Sequence, residues 1–374
     1  VTRVLILGAG FGGLELATSL SEELGAGADV TLIDRSDHFM FGFSKLDVLF
    51  GHKTLDAVKL HYADVVKPGV RLLRETVTAI DPAARRVTTD AGTHTADFLV
   101  IALGADYDVS ATPGITLGVN EFYSVAGATH LRDVLPTFTS GHAVIGVCGA
   151  PFKCPPAPSE CALMLHDYLL ERGVRDACKI TIVCPLSKPV PPSPETSVAL
   201  LEAFRERGIE WIGGKRVVAV AGESVKLDDG TELACQLFLG VPKNRAPDVV
   251  VATGLTKDGW VTIDPRTLET PVAGVYAIGD LANTGAPKAG VFAEGAAKVV
   301  AANIVSLVRG ATPTARNPGA GSCYIEFGAD RIARVDVDFF SGPQPTGKYH
   351  APSTELRADK DEFGAFRRAR WFGR

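Results

Sequence analysis

The chain has 374 residues, more than one ordinary core holds, so two or three domains are expected. A formal net charge of −5 argues against a nucleic-acid partner, and no apolar run reads as long enough to span a bilayer. The first apolar strand begins at residue 4, which leaves no room for a signal peptide and gives the expectation of a cytoplasmic chain.

Residues 4–7 (VLIL) read as a buried parallel strand. Gly8, Gly10 and Gly13 follow in G-x-G-x-x-G spacing, then an apolar-periodic helix through Leu14, Leu16, Ala17 and Leu20. A second strand, residues 30–33, ends at Asp34. Strand, turn, helix, strand and acid in this register form the dinucleotide fingerprint. Gly8 makes the tight turn, Gly10 admits a pyrophosphate, Gly13 lets the helix pack on the strand, and Asp34 takes ribose hydroxyls. The helix N-terminus offers N–H groups and positive dipole to the phosphates.

Residues 99–104 (LVIALG) read as another buried strand, and the chain loosens around Pro113. A second βαβ unit follows: a strand at 143–147, a helix at 159–170 and a strand at 180–183. Its fingerprint fails twice. The first strand runs into Cys148-Gly149-Ala150-Pro151-Phe152-Lys153-Cys154-Pro155-Pro156, where bulky residues and prolines fill the phosphate turn. The second ends in Cys184-Pro185 with no acid for a ribose, so no nicotinamide site is expected there. A proline-rich loop at 185–194, a helix at 196–207 and a hairpin turn at 228–230 complete this unit.

Residues 274–280 (GVYAIGD) return to buried-strand character, and Gly279-Asp280 would lie beside the ribityl and phosphate part of a flavin. A helix at 289–307 would then aim its N-terminus at the flavin ring. Past a loop at 313–321 come strands at 323–327 and 332–337 and a basic aromatic tail. The expected fold is α/β, with two Rossmann-like dinucleotide-binding domains and a small C-terminal α+β region. The expected division is 1–110 with 255–312, then 111–254, then 313–374. The seven cysteines include no C-x-x-C pair, which argues against structural zinc, and no metal is expected. Cys148, Cys161, Cys178, Cys184 and Cys235 read as inert thiols.

On these segments the chain resembles the two-dinucleotide-fold flavoproteins. Within them it is similar to the sulfide:quinone oxidoreductases and flavocytochrome c sulfide dehydrogenases. The carrying motifs are GAGFGG at 8–13, LVIALG at 99–104, GAPFKCPPAPSE at 149–160, GVYAIGD at 274–280, APKAGVFAEGAAKVVAANI at 286–304 and GSCYIEFG at 321–328. The resemblance implies non-covalent FAD and a redox pair made of Cys154 and Cys323. Glu160 is the implied acid/base, and Lys288 the implied cation near the flavin. Phe11, Gly12, Arg35, Val77, Ala102 and Gly104 complete the expected cofactor contacts. Lys153 and the following helix start are expected to lower the Cys154 thiol pKa.

Tyr324, Phe339 and Phe340 are the expected acceptor pocket, with a quinone as acceptor and sulfide or a related small sulfur species as donor. No cysteine lies between residues 1 and 147, where many sulfide:quinone oxidoreductases carry a third. A cytochrome-donating sulfide dehydrogenase subunit and an NADH:quinone oxidoreductase are therefore the alternatives. The tail at 363–374 (FGAFRRARWFGR) suits either a membrane interface or docking on the body. A peripheral position on the inner face of a membrane, and a homodimer, belong to the same expectation.

Overall fold

The structure, a computed structural model, describes residues 1–373. β1 (Thr2–Leu7) ends in the glycine turn and α1 (Phe11–Leu24) follows at once. β2 (Ala28–Asp34) lies parallel to β1, Val4 opposite Val30. A short helix, α2 (Ser44–Leu49), and β3 (Val70–Arg74) precede an antiparallel three-stranded ribbon over residues 77–95. β4 (Phe98–Ile101) then joins β1 on the edge opposite β2. Strand order thus reverses about β1. The loops beyond β1 and β4 open the crevice where such sheets bind ligands.

α3 (Val125–Val134), capped by the Ser124 hydroxyl, leads into a second parallel sheet. It is built from β5 (Gly141–Val147), α4 (Ala157–Glu171), β6 (Cys178–Cys184), α5 (Pro194–Glu206), β7 (Ile209–Gly213) and β8 (Leu237–Val241), in the order β7-β6-β5-β8. Both sheets are covered on their two faces, so Val4, Ile6, Val144 and Ile182 are all buried, and such strands read as apolar runs. β9 (Val275–Ala277) re-enters the first sheet and completes the order β9-β4-β1-β2-β3.

α6 (Gly290–Val308) packs along α1. It corrects the sequence reading on one point. By length and composition this helix could cross a bilayer, yet 56% of its apolar window is buried inside the protein. Its all-round apolar character is that of a core helix.

The C-terminal region is an antiparallel sheet of β10 (Ala320–Glu326), β11 (Ile332–Asp338) and β12 (Thr346–Ser353), with Ser322 opposite Asp336 and Tyr324 opposite Arg334. Strand alternation turns Cys323, Ile325, Val335 and Val337 toward the core of the second domain. The other face carries Ser322, Tyr324, Glu326, Arg334 and Asp336. It meets a helix absent from the sequence reading, α7 (Glu355–Phe372).

This helix is the predicted tail, and it docks. Trp371 is fully buried among Phe11, Phe39 and Phe41, and its Nε1 donates to Glu15 Oε2 at 2.8 Å. Arg370 donates to both Glu15 and Glu22. Trp371 and Phe372 are therefore core residues and cannot serve as membrane anchors. Phe366 is the outward-facing ring of the helix, 56% exposed, and Arg374 of the tail lies outside the described residues.

Candidate active site

A cavity of about 730 Å³ opens at the C-terminal ends of β1 and β4. The three fingerprint glycines do different physical work around it. A Cβ on Gly8, which sits at φ +99°, would come within 2.4 Å of Ala102 O. One on Gly13 would come within 1.9 Å of Gly8 O. Both positions are closed by backbone. Gly10, at the N-terminus of α1, has nothing within 4 Å of its would-be Cβ and lines the cavity. No side chain caps the helix there, so its leading N–H groups remain for a ligand. Asp34 is held at the end of β2 by N–H donors from Ala9 (2.7 Å) and Ser36 (2.8 Å). This cradle fits a dinucleotide phosphate and ribose.

Phe11, Gly12, Arg35, Val77, Ala102, Gly104, Gly279, Asp280 and Lys288 also line the cavity. Gly13 stands behind it and acts through packing alone. Lys288 is only 8% exposed; its Nζ donates to Asp280 O at 2.5 Å and lies 3.5 Å above the Trp260 ring. Burial lowers its pKa to about 8 against the opposing pull of Asp280.

Cys154 and Cys323 both line the same cavity and both are free thiols. Cys154 comes from the loop between β5 and α4, in the left-handed region at φ +49°. That conformation is costly for a residue with a Cβ and is held by its surroundings. The Cys154 N–H donates to Lys288 O (2.8 Å), and Tyr123 Oη donates to Cys154 O (3.3 Å). The first bond ties the second domain to the start of α6. Cys323 arrives on β10.

The expected lowering of the Cys154 pKa is corrected. The Lys153 ammonium turns away to Ala105 O (2.8 Å) and the Tyr107 ring. Burial pushes the Cys154 thiol well above its ordinary range. Glu160 and Cys323 add to the shift, and Lys45 is the cation that opposes it. Burial likewise pushes Cys323 up to about 12, with Glu160 and Asp336 adding to it. Both groups are neutral thiols at neutral pH, so their deprotonation needs a base.

Glu160 lines the same cavity. It is 3% exposed, which rules out a solvent-facing helix-start glutamate. Burial raises its pKa to about 7, while Lys360 and the Glu326 N–H, 3.0 Å from Oε1, pull it down. A carboxyl poised at that value can accept and return a proton under physiological conditions.

Of the three expected acceptor residues, Tyr324 lines the cavity, edge-on to Phe363 at 5.7 Å. Phe339 and Phe340 do not. Phe339 packs edge-on to Phe292 at 5.8 Å, and the Phe340 ring lies under the Arg266 guanidinium at 4.7 Å. They follow the last residue of β11, where the chain turns toward the first domain. The sequence reading missed Phe43, Lys45, Tyr123, Lys360 and Phe363, all of which line the cavity. Lys360 reaches in from α7 and pairs with buried Glu326 at 2.5 Å. The fully buried Cys161 and the buried Cys148, Cys178, Cys184 and Cys235 line no part of it. Among the described residues no cluster is suited to a metal ion.

Two dinucleotide folds sharing one cleft define a class of oxidoreductase. Residues 2–302 match the pyridine nucleotide-disulphide oxidoreductase family, and the chain belongs to it. The mouse mitochondrial sulfide:quinone oxidoreductase is 24% identical over 360 residues, with 92% of this chain and 80% of that protein covered. The sulfide-quinone reductase of Aquifex aeolicus is 27% identical over 366 residues, 88% and 82% covered. The X-ray structure of the sulfide:quinone oxidoreductase from the same bacterium superposes with a TM-score of 0.87 at 23% identity, covering 98% of this chain and 90% of that one. The resemblance stated from the sequence motifs is borne out.

Proposed function

We propose that the protein is an FAD-dependent oxidoreductase that takes electrons from sulfide, or a related persulfide or thiol, through Cys154 and Cys323 and delivers them to a quinone. The carrying observation is the convergence of two thiols from distant elements on the cavity that holds the Gly10 cradle, with a buried carboxyl of pKa about 7 beside them. The names of the mouse and Aquifex relatives support the same donor and acceptor.

FAD would be held without a covalent link by Gly8, Gly10, Phe11, Gly12, Asp34, Arg35, Val77, Ala102, Gly104, Gly279, Asp280 and Lys288. When bound, it supplies a two-electron acceptor that can be reoxidised. The protein's own residues do the sulfur chemistry. Hydrosulfide attack on an oxidised Cys154–Cys323 pair breaks the S–S bond, leaving a persulfide on one cysteine and a thiolate on the other. Glu160 takes the sulfur-bound proton, and Lys45 stabilises negative charge at Cys154. Residues 1–110 with 255–312 form the flavin half in this reading, 111–254 the half that carries Cys154, and 313–374 the cap that carries Cys323. Tyr324, Phe363 and Phe43 offer the apolar wall for the acceptor. If that quinone is lipid-borne, contact with the membrane falls to Phe366 rather than to the buried end of α7.

The test is anaerobic stopped-flow mixing of the FAD-loaded protein with sulfide and, separately, with NADH. Sulfide is expected to bleach the flavin and NADH to leave it oxidised. The NADH reading needs a ribose-binding acid after β6. That strand ends in Cys184-Pro185, and the turn after β5 carries Pro151, Pro155 and Pro156 where a nucleotide fingerprint would need glycines. Reoxidation by a c-type cytochrome but not by quinone would select the sulfide dehydrogenase reading.

A further inference from the structure

The outer face of the C-terminal sheet carries a chain of hydrogen bonds from solvent to the cavity that the sulfur chemistry leaves unused. Ser322 lines the cavity next to Cys323 but on the opposite face of β10. Its hydroxyl donates to Asp336 Oδ1 at 2.6 Å. The other carboxylate oxygen, Oδ2, lies 2.6 Å from His350 Nε2. The His350 side chain is 25% exposed and so reaches water. Arg334 Nη2 stands 3.3 Å from the same imidazole nitrogen. Nε2 can therefore donate to Asp336 or, once deprotonated, accept from Arg334, and both states of the ring have a partner.

Resting on the proposed sulfide:quinone reading, we infer that Ser322, Asp336 and His350 form a proton relay that supplies the acceptor end of the cavity from solution. The overall balance requires such an inlet. Hydrosulfide yields zero-valent sulfur, two electrons and one proton. A quinone takes two electrons and two protons to become quinol, so each turnover consumes one proton from bulk. Imidazolium passes its Nε2 proton to the Asp336 carboxylate. The carboxyl passes a proton to Ser322 Oγ as the serine hydroxyl gives its own to the acceptor. Arg334 then holds the neutral ring until water reprotonates it. The charged groups around the imidazole include Arg334 and Asp336 on β11, Lys348 on β12 opposite Asp336 and, on α7, Asp359, 3.7 Å from Arg334. Glu202 of α5 acts on the neighbouring Tyr349. These residues position and transfer protons, and Asp336 reaches Cys323 only through its charge.

The test separates the two half-reactions in FAD-loaded protein under anaerobic conditions. His350→Gln and Ser322→Ala are expected to be reduced by sulfide as fast as the unmodified protein. Their reoxidation by a short-chain ubiquinone analogue is expected to be at least about tenfold slower, the scale of a lost proton-transfer group. Ser322→Thr keeps the hydroxyl and the normal rate, and added imidazole restores His350→Ala. In 15N-histidine-labelled protein the hydrogen-bonded Nε2–H signal of His350 is expected to disappear in Asp336→Ala. Variants that reoxidise at the normal rate, or an unmodified protein that the quinone does not reoxidise, would overturn the relay. Failure of sulfide to reduce the unmodified protein would instead refute the proposed donor. Reoxidation after dithionite reduction still decides the relay in that case.

Discussion

Glu160 owes its titration to burial. Its folded pKa, about 7, lies above the unfolded carboxyl value, so its contribution to stability is full below the unfolded pKa and is lost as pH rises toward 7. Glu160→Gln should therefore gain thermal stability over the parent at pH 8 and little at pH 4, measured by calorimetry. Function runs the other way, because the base must be ionised. Sulfide-driven bleaching should rise with pH through about 7 in the parent. Hydrosulfide forms from dihydrogen sulfide over the same range, so the glutamine variant keeps the substrate's share of that rise but should run about a hundredfold slower, the scale of a missing general base. Equal rates would remove Glu160 from the reaction.

Lys45 is the cation that opposes the upward shift of Cys154. Lys45→Met should move the pH midpoint of Cys154 alkylation by iodoacetamide upward; an unchanged midpoint would show that the cation does not act on the thiol. Gly10 and Gly13 offer a sharper contrast. Gly10→Val has open space in the protein but none beside a bound dinucleotide, so it should keep the fold and lose FAD. Gly13→Val drives a side chain into Gly8 O and should unfold the domain. Thermal melts with and without FAD separate the two outcomes.

At the scale of elements, α7 joins the far end of the chain to α1. Glu15 is fully buried there. Burial by itself would raise its pKa, but hydrogen bonds from Arg370 and Trp371 outweigh that and hold it below the usual carboxylate value. A depressed carboxyl contributes stability above its unfolded pKa and loses it as pH falls through the folded one. The docking of α7 should thus weaken in acid. Trp371→Ala empties a fully buried indole site and should cost about 3–5 kcal/mol, with protease cleavage appearing within residues 355–373. Resistance to cleavage in that variant would show that the helix is held by other contacts.

The same helix shows where sequence reading stops. Strands β1, β2, β4, β5, β6 and β9 were legible because double-sided burial demands unbroken apolar runs, whereas β3, β7 and β8 were not placed from the sequence. The glycine turn was legible because backbone approach tolerates only one residue type. The helical character of residues 355–372 was not legible. Its stripe is sparse and charged, and its order comes from partners more than 300 residues away, Glu15 among them. Lys360 and Phe363 enter the cavity only because that docking occurs, so no local pattern reveals them. Phe339 and Phe340 failed for a related reason. An aromatic pair after a strand says nothing about which way the chain turns next.

At the scale of the whole molecule, the site exists only where three units meet. The first sheet supplies the cradle, the loop beyond β5 supplies Cys154, and β10 supplies Cys323. The hydrogen bond from Cys154 N–H to Lys288 O closes the seam between the first two, and α7 fastens the third. The two cysteines and the Gly10 cradle lie on separate elements, so losing either cysteine should leave FAD bound. The most direct measurement is peptide mapping by mass spectrometry after anaerobic oxidation of the FAD-loaded protein. The account predicts a reducible link between the Cys154 and Cys323 peptides, either direct or extended by inserted sulfur atoms. Recovery of both cysteines as independently alkylated thiols from fully oxidised protein would contradict it.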